Sequence, residues 1–282
     1  MKIICDKRCV IGEGPIWNEK ERKLYFTNGL GNEICKLDIY SGKSEVRSLD
    51  FGCAAFCFSK NKELIVSTDE GVFILNDDNT TFPIYDTNKH NLKYCNDMKV
   101  GPDGRIYVGT QSSKIKGISD KIDGKLYSID KEGNVRVLLD NLLLSNGLEW
   151  SIDEKRFYHT DSDTRIIKEY DFDKISGEIT FTGREIKVHG VDGFTIDQND
   201  FLYAACWGKG CITVIDTADM QVKEYVEVPA KVPASCAFAG DDMQNLIVVT
   251  ATHGVDIKED ENAGYTFICK TKTKGRKPYL FG

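Results

Sequence analysis

One short phrase recurs along this chain and constrains its fold more than anything else: a polar turn, then one variable residue, an aliphatic or phenylalanine, a tyrosine or isoleucine, and a small or apolar closer. The copies are Lys23-Leu24-Tyr25-Phe26, Glu63-Leu64-Ile65-Val66, Arg105-Ile106-Tyr107-Val108, Arg156-Phe157-Tyr158-His159, Phe201-Leu202-Tyr203-Ala204 and Asn245-Leu246-Ile247-Val248. Their second residues stand at 24, 64, 106, 157, 202 and 246, so successive copies are 40, 42, 51, 45 and 44 residues apart. A β-rich period of this length marks repeats that are each one four-stranded sheet, unable to bury its faces alone. Evenly spaced hairpins could also build a long sandwich, but six copies at one period favour a six-bladed, all-β propeller with four-stranded antiparallel blades around a central tunnel. At 282 residues this reads as a single domain, 1–282.

The local chemistry agrees. Gly101-Pro102-Asp103-Gly104, Asp153-Glu154-Lys155 and Gln198-Asn199-Asp200 precede repeated runs and carry residues that tolerate positive φ, so each joins two strands of a blade. Alternating stretches such as Lys125 to Asp130 and Ile212 to Asp216 supply third strands, and helix signals are nearly absent. The longest interval holds the polar stretch 110–123, a loop inserted in the third blade and a candidate lid.

Composition excludes several classes of partner. A net charge of −7 and the lack of a dense Lys/Arg run argue against nucleic acid. The first residues lack the apolar stretch of a secretion signal, and no later segment approaches the roughly 18 apolar residues of a membrane span, so no membrane partner and a cytoplasmic location are expected. Ten cysteines then read as reduced core thiols; Cys5/Cys9 and Cys53/Cys57 have no His nearby to complete a zinc site. His90, His159, His189 and His253 fall outside the repeat register described next and are read as structural, and Trp17, Trp150 and Trp207 as core packing.

If each blade gives its innermost strand to the tunnel wall, residues at a fixed offset before the repeated run share one height. Counting back 11 or 12 residues from Tyr25, Ile65, Tyr107, Tyr158, Tyr203 and Ile247 reaches Glu13, Cys53 or Ala54, Asn96, Asn146, Asp192, and Ser235 or Cys236. Four of the six positions carry a side-chain carboxylate or amide. Convergent carboxylates repel unless a cation lies among them, and an oxygen-rich set favours a hard divalent ion. Taken singly, Asn146-Gly147 and Asp192-Gly193 would be ordinary hairpin residues.

At these positions the chain resembles the senescence-marker-protein/gluconolactonase family, which includes regucalcin and the luciferin-regenerating enzymes. The resemblance is carried by Ile11-Gly12-Glu13-Gly14-Pro15-Ile16-Trp17, by Asn96-Asp97 with Lys99-Val100 and Gly109-Thr110, by Ser145-Asn146-Gly147-Leu148-Glu149-Trp150-Ser151 and by Asp192-Gly193-Phe194-Thr195-Ile196-Asp197. It implies Glu13, Asn146 and Asp192 as ligands of one divalent metal ion, Ca²⁺ foremost, with Mg²⁺, Mn²⁺ or Zn²⁺ as alternatives. Asn96 would sit beside the ion or hold substrate, Asp97 would bind substrate hydroxyls, and Asp192 would double as the catalytic base. The implied activity is hydrolysis of a sugar lactone or related cyclic ester by a monomer or weak dimer; the alternatives are a non-catalytic calcium-binding or regulatory propeller and a hydrolase of aryl esters or aromatic lactones. Two substrate positions depart from the sugar-binding pattern: Tyr94 replaces an Arg, and Lys114 falls where a lid Glu is expected.

Overall fold

The computed structural model describes residues 1–282. Its elements are almost all strands. After β1 (Lys2–Cys5) come the four strands of a first sheet, β2 (Gly12–Asn18), β3 (Lys23–Asn28), β4 (Glu33–Leu37) and β5 (Ser44–Ser48), with one 3₁₀ turn at Gly29–Gly31. The second sheet is β6 (Ala55–Phe58), β7 (Leu64–Thr68), β8 (Gly71–Leu75) and β9 (Thr81–Pro83); the third is β10 (Cys95–Val100), β11 (Ile106–Thr110), β12 (Gly124–Ile129) and β13 (Val135–Leu142). The fourth is β14 (Ser145–Trp150), β15 (Arg156–Asp161), β16 (Ile166–Phe172) and β17 (Ile179–Lys187), and the fifth β18 (Val191–Ile196), β19 (Phe201–Cys206), β20 (Cys211–Asp216) and β21 (Gln221–Glu227). The sixth has only β22 (Pro233–Ala239), β23 (Asn245–Thr250) and β24 (Thr266–Lys270) in sequence, and β1 supplies its fourth strand. Six four-stranded antiparallel sheets following one another along the chain, the last completed by the first strand, make this a six-bladed β-propeller.

Each repeated phrase identified in the sequence forms the second strand of its sheet. The predicted turns fall where expected: 101–104 joins β10 to β11, 153–155 joins β14 to β15, and 198–200 joins β18 to β19. The 110–123 stretch is the connection between β11 and β12 in the third sheet.

The chain packs as two compact units of three sheets each. One comprises Met1–Gly52 and Ile186–Pro278, the other Cys53–Glu185 and Tyr279–Gly282. In the first, Trp17, Phe26, Phe238, Leu246 and Phe267 belong to one apolar core. In the second, Ile65, Ile106 and Val108 form one core and an aromatic block a second; there Trp150 lies 4.8 Å edge-on from Tyr107 and 5.0 Å from Phe157, centroid to centroid. Such ring pairs add about 0.5–1.5 kcal/mol each beyond the area they bury. The innermost strands β14, β18 and β22 are buried along their whole length, β2 and β10 alternate between buried and half-buried positions, and the outermost strand β17 alternates toward solvent. A polar side chain on β14 or β18 is therefore held in a desolvated setting.

The sixth sheet shows how the repeat is closed. Lys2 lies opposite Ile268 and Ile3 opposite Phe267, while Cys5 is buried in the core of the first unit. The N-terminal segment thus pairs with the last sheet, as its apolar, β-prone sequence and the need to close the ring suggest, and β24 is spared an open edge. Deleting residues 1–8 should lower the melting temperature by roughly 5–10 °C in one cooperative transition, from the lost pairing and the exposed core; an unchanged melting temperature in differential scanning calorimetry would contradict this role for β1.

Candidate functional site

Five of the six innermost strands carry a β-bulge near their start. The register against the second strand shifts between Glu13 and Ile16 in β2, Cys95 and Met98 in β10, Asn146 and Leu148 in β14, Val191 and Phe194 in β18, and Pro233 and Ser235 in β22. A bulge inserts one unpaired residue, bends the strand and re-aims a side chain. Glu13, Asn96, Asn146, Asp192 and Ser235 all stand at these shifts. Asn146-Gly147 and Asp192-Gly193 are therefore not hairpin turns but interior to β14 and β18. Gly14 and Gly147 adopt positive φ, +54° and +24°, where a side chain would be strained, and Gly193 leaves room for Ser235, whose Oγ would lie 2.3 Å from an added Cβ. The second sheet is the exception. β6 pairs with β7 in unbroken register, and the nearby Cys53 is a buried thiol whose pKa burial pushes up, unsuited to hold a hard cation.

In the first unit Asp192 is buried on β18 and Glu13 half-buried on β2. The second unit shows its polar network in more detail, and one backbone carbonyl sets its polarity. Asn96 Nδ2 donates to Ser145 O at 3.0 Å. A carbonyl can only accept, so this end of the Asn96 amide must be nitrogen. The Asn146 atom 2.7 Å from Asn96 Nδ2 must then be its oxygen, which leaves Asn146 Nδ2 to donate to Ser162 Oγ at 2.9 Å. On the other side Asn96 Oδ1 must accept, and it does so from Gln111 Nε2 at 3.1 Å. Three amides are oriented by one carbonyl oxygen.

Around them the backbone is pinned. Asp161 accepts from the Leu143 and Leu144 amides at 2.8 and 2.9 Å, fixing the chain just ahead of Asn146. Ser145 Oγ lies 2.8 Å from His159 Nε2, beneath Gly109, where an added Cβ would come within 2.1 Å of that hydroxyl. Asp97 stands next to Asn96; burial raises its pKa, with Lys99 opposing, and Lys99 is itself paired at 2.9 Å with the buried Glu149.

The 110–123 loop is tied to the same unit. Tyr94 sits at φ +56°, a left-handed conformation uncommon for a bulky side chain; its N–H donates to Asp69 O and its carbonyl accepts from the Gln111 amide, both at 2.9 Å. Lys116, not Lys114, reaches this point: its ammonium bonds both Asp69 carboxylate oxygens at 2.9 and 3.2 Å and lies 5.3 Å over the Tyr94 ring. Lys114 is exposed and contributes a backbone bond to Lys121. The loop lysine beside Tyr94 is thus Lys116, and the sequence signals gave no weight to Gln111, which directly follows β11. Of the histidines, His159 is the buried structural one. Trp17 and Trp150 are core residues as expected, whereas Trp207 is half-exposed at the β19–β20 hairpin, its N–H on Gly190 O at 2.6 Å.

The donor set suits a divalent cation. No three His, Cys, Asp or Glu side chains gather in one group, so a metal here would need amide oxygens. Asn146 offers its oxygen end, with one lone pair on Asn96 and a second remaining.

A six-bladed propeller with carboxylates and amides at matching bulges defines a class, and the sequence places the chain within it. Residues 11–252 match the SMP-30/Gluconolactonase/LRE-like region, and the chain belongs to that family. It is 32% identical over 98% of its length to YvrE of Bacillus subtilis (strain 168), named as a candidate sugar lactone lactonase, covering 96% of that protein. It is 29% identical to regucalcin of Gallus gallus, over 100% of this chain and 98% of that one. The crystal structure of a calcium-binding protein, regucalcin from Agrobacterium tumefaciens, superposes with a TM-score of 0.88 at 24% identity, over 99% of this chain and 96% of that one, which establishes the likeness of fold. No helix is long and apolar enough to cross a membrane.

The buried imidazole gives this region a pH signature. Burial, with a smaller contribution from Lys168, lowers the His159 pKa from 6.5 to about 3. Below pH 6.5 the unfolded chain binds a proton that the folded chain refuses, so this residue costs nothing at higher pH and destabilises the fold increasingly as pH falls from 6.5 toward 3. The slope approaches about 1.4 kcal/mol per pH unit. Urea unfolding at pH 6.5 and pH 5 should show a loss smaller by about 2 kcal/mol in His159→Gln than in the wild type; equal losses would mean that the ring is solvated.

Proposed function

We propose that this protein is a divalent-metal-dependent hydrolase that opens lactones. The observation that carries the reading is the bulge register: in a member of a gluconolactonase-like family, Glu13, Asn96, Asn146 and Asp192 occupy equivalent re-aimed positions on four innermost strands. Support also comes from the naming of YvrE as a candidate sugar lactone lactonase. Glu13, Asn146 and Asp192 would hold one ion, Ca²⁺ foremost, since two carboxylates and an amide oxygen match a hard cation. When bound, a divalent ion supplies Lewis acidity toward an ester carbonyl.

The remaining work falls to the protein's own groups. Asp192 takes the proton of the attacking water, a carbon–oxygen bond forms at the carbonyl, and the ring ester bond breaks with the proton passed to the departing alkoxide. Asn96 keeps Asn146 oriented through the 2.7 Å bond, and the neighbouring Asp97, its pKa raised by burial, would meet substrate hydroxyls. A second reading, a non-catalytic calcium-binding propeller, is favoured by the calcium-binding regucalcin among its structural neighbours.

Calorimetric metal titration alongside hydrolysis of a lactone panel separates the two. Asp192→Ala should lower turnover by about 10²–10⁴-fold or more, because it removes a ligand together with the base. Asn146→Ala should weaken ion binding and recover part of its activity in excess ion, and Asn96→Ala should lose turnover more than affinity. Wild-type binding and full activity in Asp192→Ala would refute the assignment, and ion binding without turnover of any lactone would favour the second reading.

Substrate preference follows from the departures. With Tyr94 and a lysine-bearing loop in place of an Arg and a Glu, polyol lactones should be poor substrates beside flatter, less hydroxylated ones. A kcat/KM for gluconolactone above that of every other lactone in the panel would overturn this expectation.

A further inference from the structure

The amide of Asn96 has little left to offer a ligand. Both of its N–H groups are used, one on Ser145 O at 3.0 Å and one on Asn146 Oδ1 at 2.7 Å, and its oxygen already accepts from Gln111. An Asn side chain has two donors, so Asn96 cannot donate to a substrate without breaking one of these bonds. Gln111 is in the opposite situation. One Nε2 hydrogen is used on Asn96, which leaves the second N–H and Oε1 available, and the side chain is half-buried rather than enclosed.

Its position is also fixed. The Gln111 amide donates to Tyr94 O at 2.9 Å, and the residue forms a β-bridge with Leu144, directly before Ser145. Its side chain is two hydrogen bonds from Asn146 Oδ1, by way of Asn96. Behind it, Tyr94 is held by Asp69 and covered by Lys116, so the loop base is braced on both sides. A polar group held on a braced backbone, with one donor and one acceptor in hand, is what selection of a single hydroxyl requires.

We propose that Gln111 is a specificity-determining residue that receives the hydroxyl on the carbon next to the lactone carbonyl. The inference rests on the lactonase reading above, which places the carbonyl at the ion beside Asn146; a group two hydrogen bonds from that ligand then meets the neighbouring carbon. The favoured substrates are accordingly α-hydroxy lactones with few further hydroxyls. This is compatible with the poor use of polyol lactones, because Gln111 can satisfy one hydroxyl and not a row of them.

The test compares α-hydroxy-γ-butyrolactone with γ-butyrolactone, which differ only in that group, using the calcium-loaded full-length protein. In the wild type kcat/KM should favour the hydroxylated lactone. In Gln111→Leu the preference should shrink about tenfold, mostly through KM, from loss of one hydrogen bond, with kcat/KM for γ-butyrolactone falling by a clearly smaller factor. Calorimetric Ca²⁺ affinity should stay within about threefold of wild type, since Ser145 O still orients Asn96. Gln111→Met provides the same comparison with an unbranched side chain if the leucine variant melts early. An unchanged preference, or an equal loss on both lactones accompanied by weaker Ca²⁺ binding, overturns the proposal and makes Gln111 a support for Asn96. Failure of the wild type to hydrolyse either lactone or any in the panel would remove the lactonase reading, and this inference with it.

Discussion

A four-stranded sheet has two faces and can cover neither by itself. Everything else in this structure depends on that constraint. It buries β14, β18 and β22 along their whole length, and on four innermost strands a carboxylate or amide stands where the backbone departs from the regular ladder. The bulges provide that departure. They turn Glu13, Asn96, Asn146 and Asp192 out of the alternating pattern, so the polar positions of the candidate site are a by-product of how the sheets begin. The aromatic block at the far end of β14, with Trp150 against Tyr107 and Phe157, anchors the strand whose start carries the amide network.

Much of this could be read from the amino-acid sequence because the signals are local and repeated. The run around Tyr25, Tyr107, Tyr158 and Tyr203 recurs at one period, and that period fixed both the number of sheets and the offset of the polar positions before it. The β1–β24 pairing was legible for a different reason: a ring of sheets otherwise leaves an open seam, and both segments are apolar and β-prone. The role of Asn146-Gly147 and Asp192-Gly193 was ambiguous, since the same dipeptides make hairpins; their common register argued against hairpins, and the bulges themselves became visible only in the strand pairing.

What could not be read depended on backbone atoms and loop path. The polarity of Asn96, Asn146 and Gln111 is imposed by the carbonyl of Ser145, and a carbonyl has no residue letter. Lys114 and Lys116 are two residues apart in a loop without periodicity, so nothing in their spacing tells which ammonium turns back to Asp69 and Tyr94. The left-handed conformation of Tyr94 was equally hidden: a glycine would have announced it, and a tyrosine does not.

The partnership of β1 with β24 also has a consequence for how the chain is made. Residues 2–5 are synthesised long before their partners at 266–268. Local hairpins can form as they emerge, but the sixth sheet has to wait for β24 and for the closure of a loop of more than 260 residues. Until then β24 has no outer neighbour, and an unpaired strand edge is a template for other chains. Of all the strand pairings in the fold this one spans the longest stretch of chain, and one four-residue strand is all that covers the edge of β24.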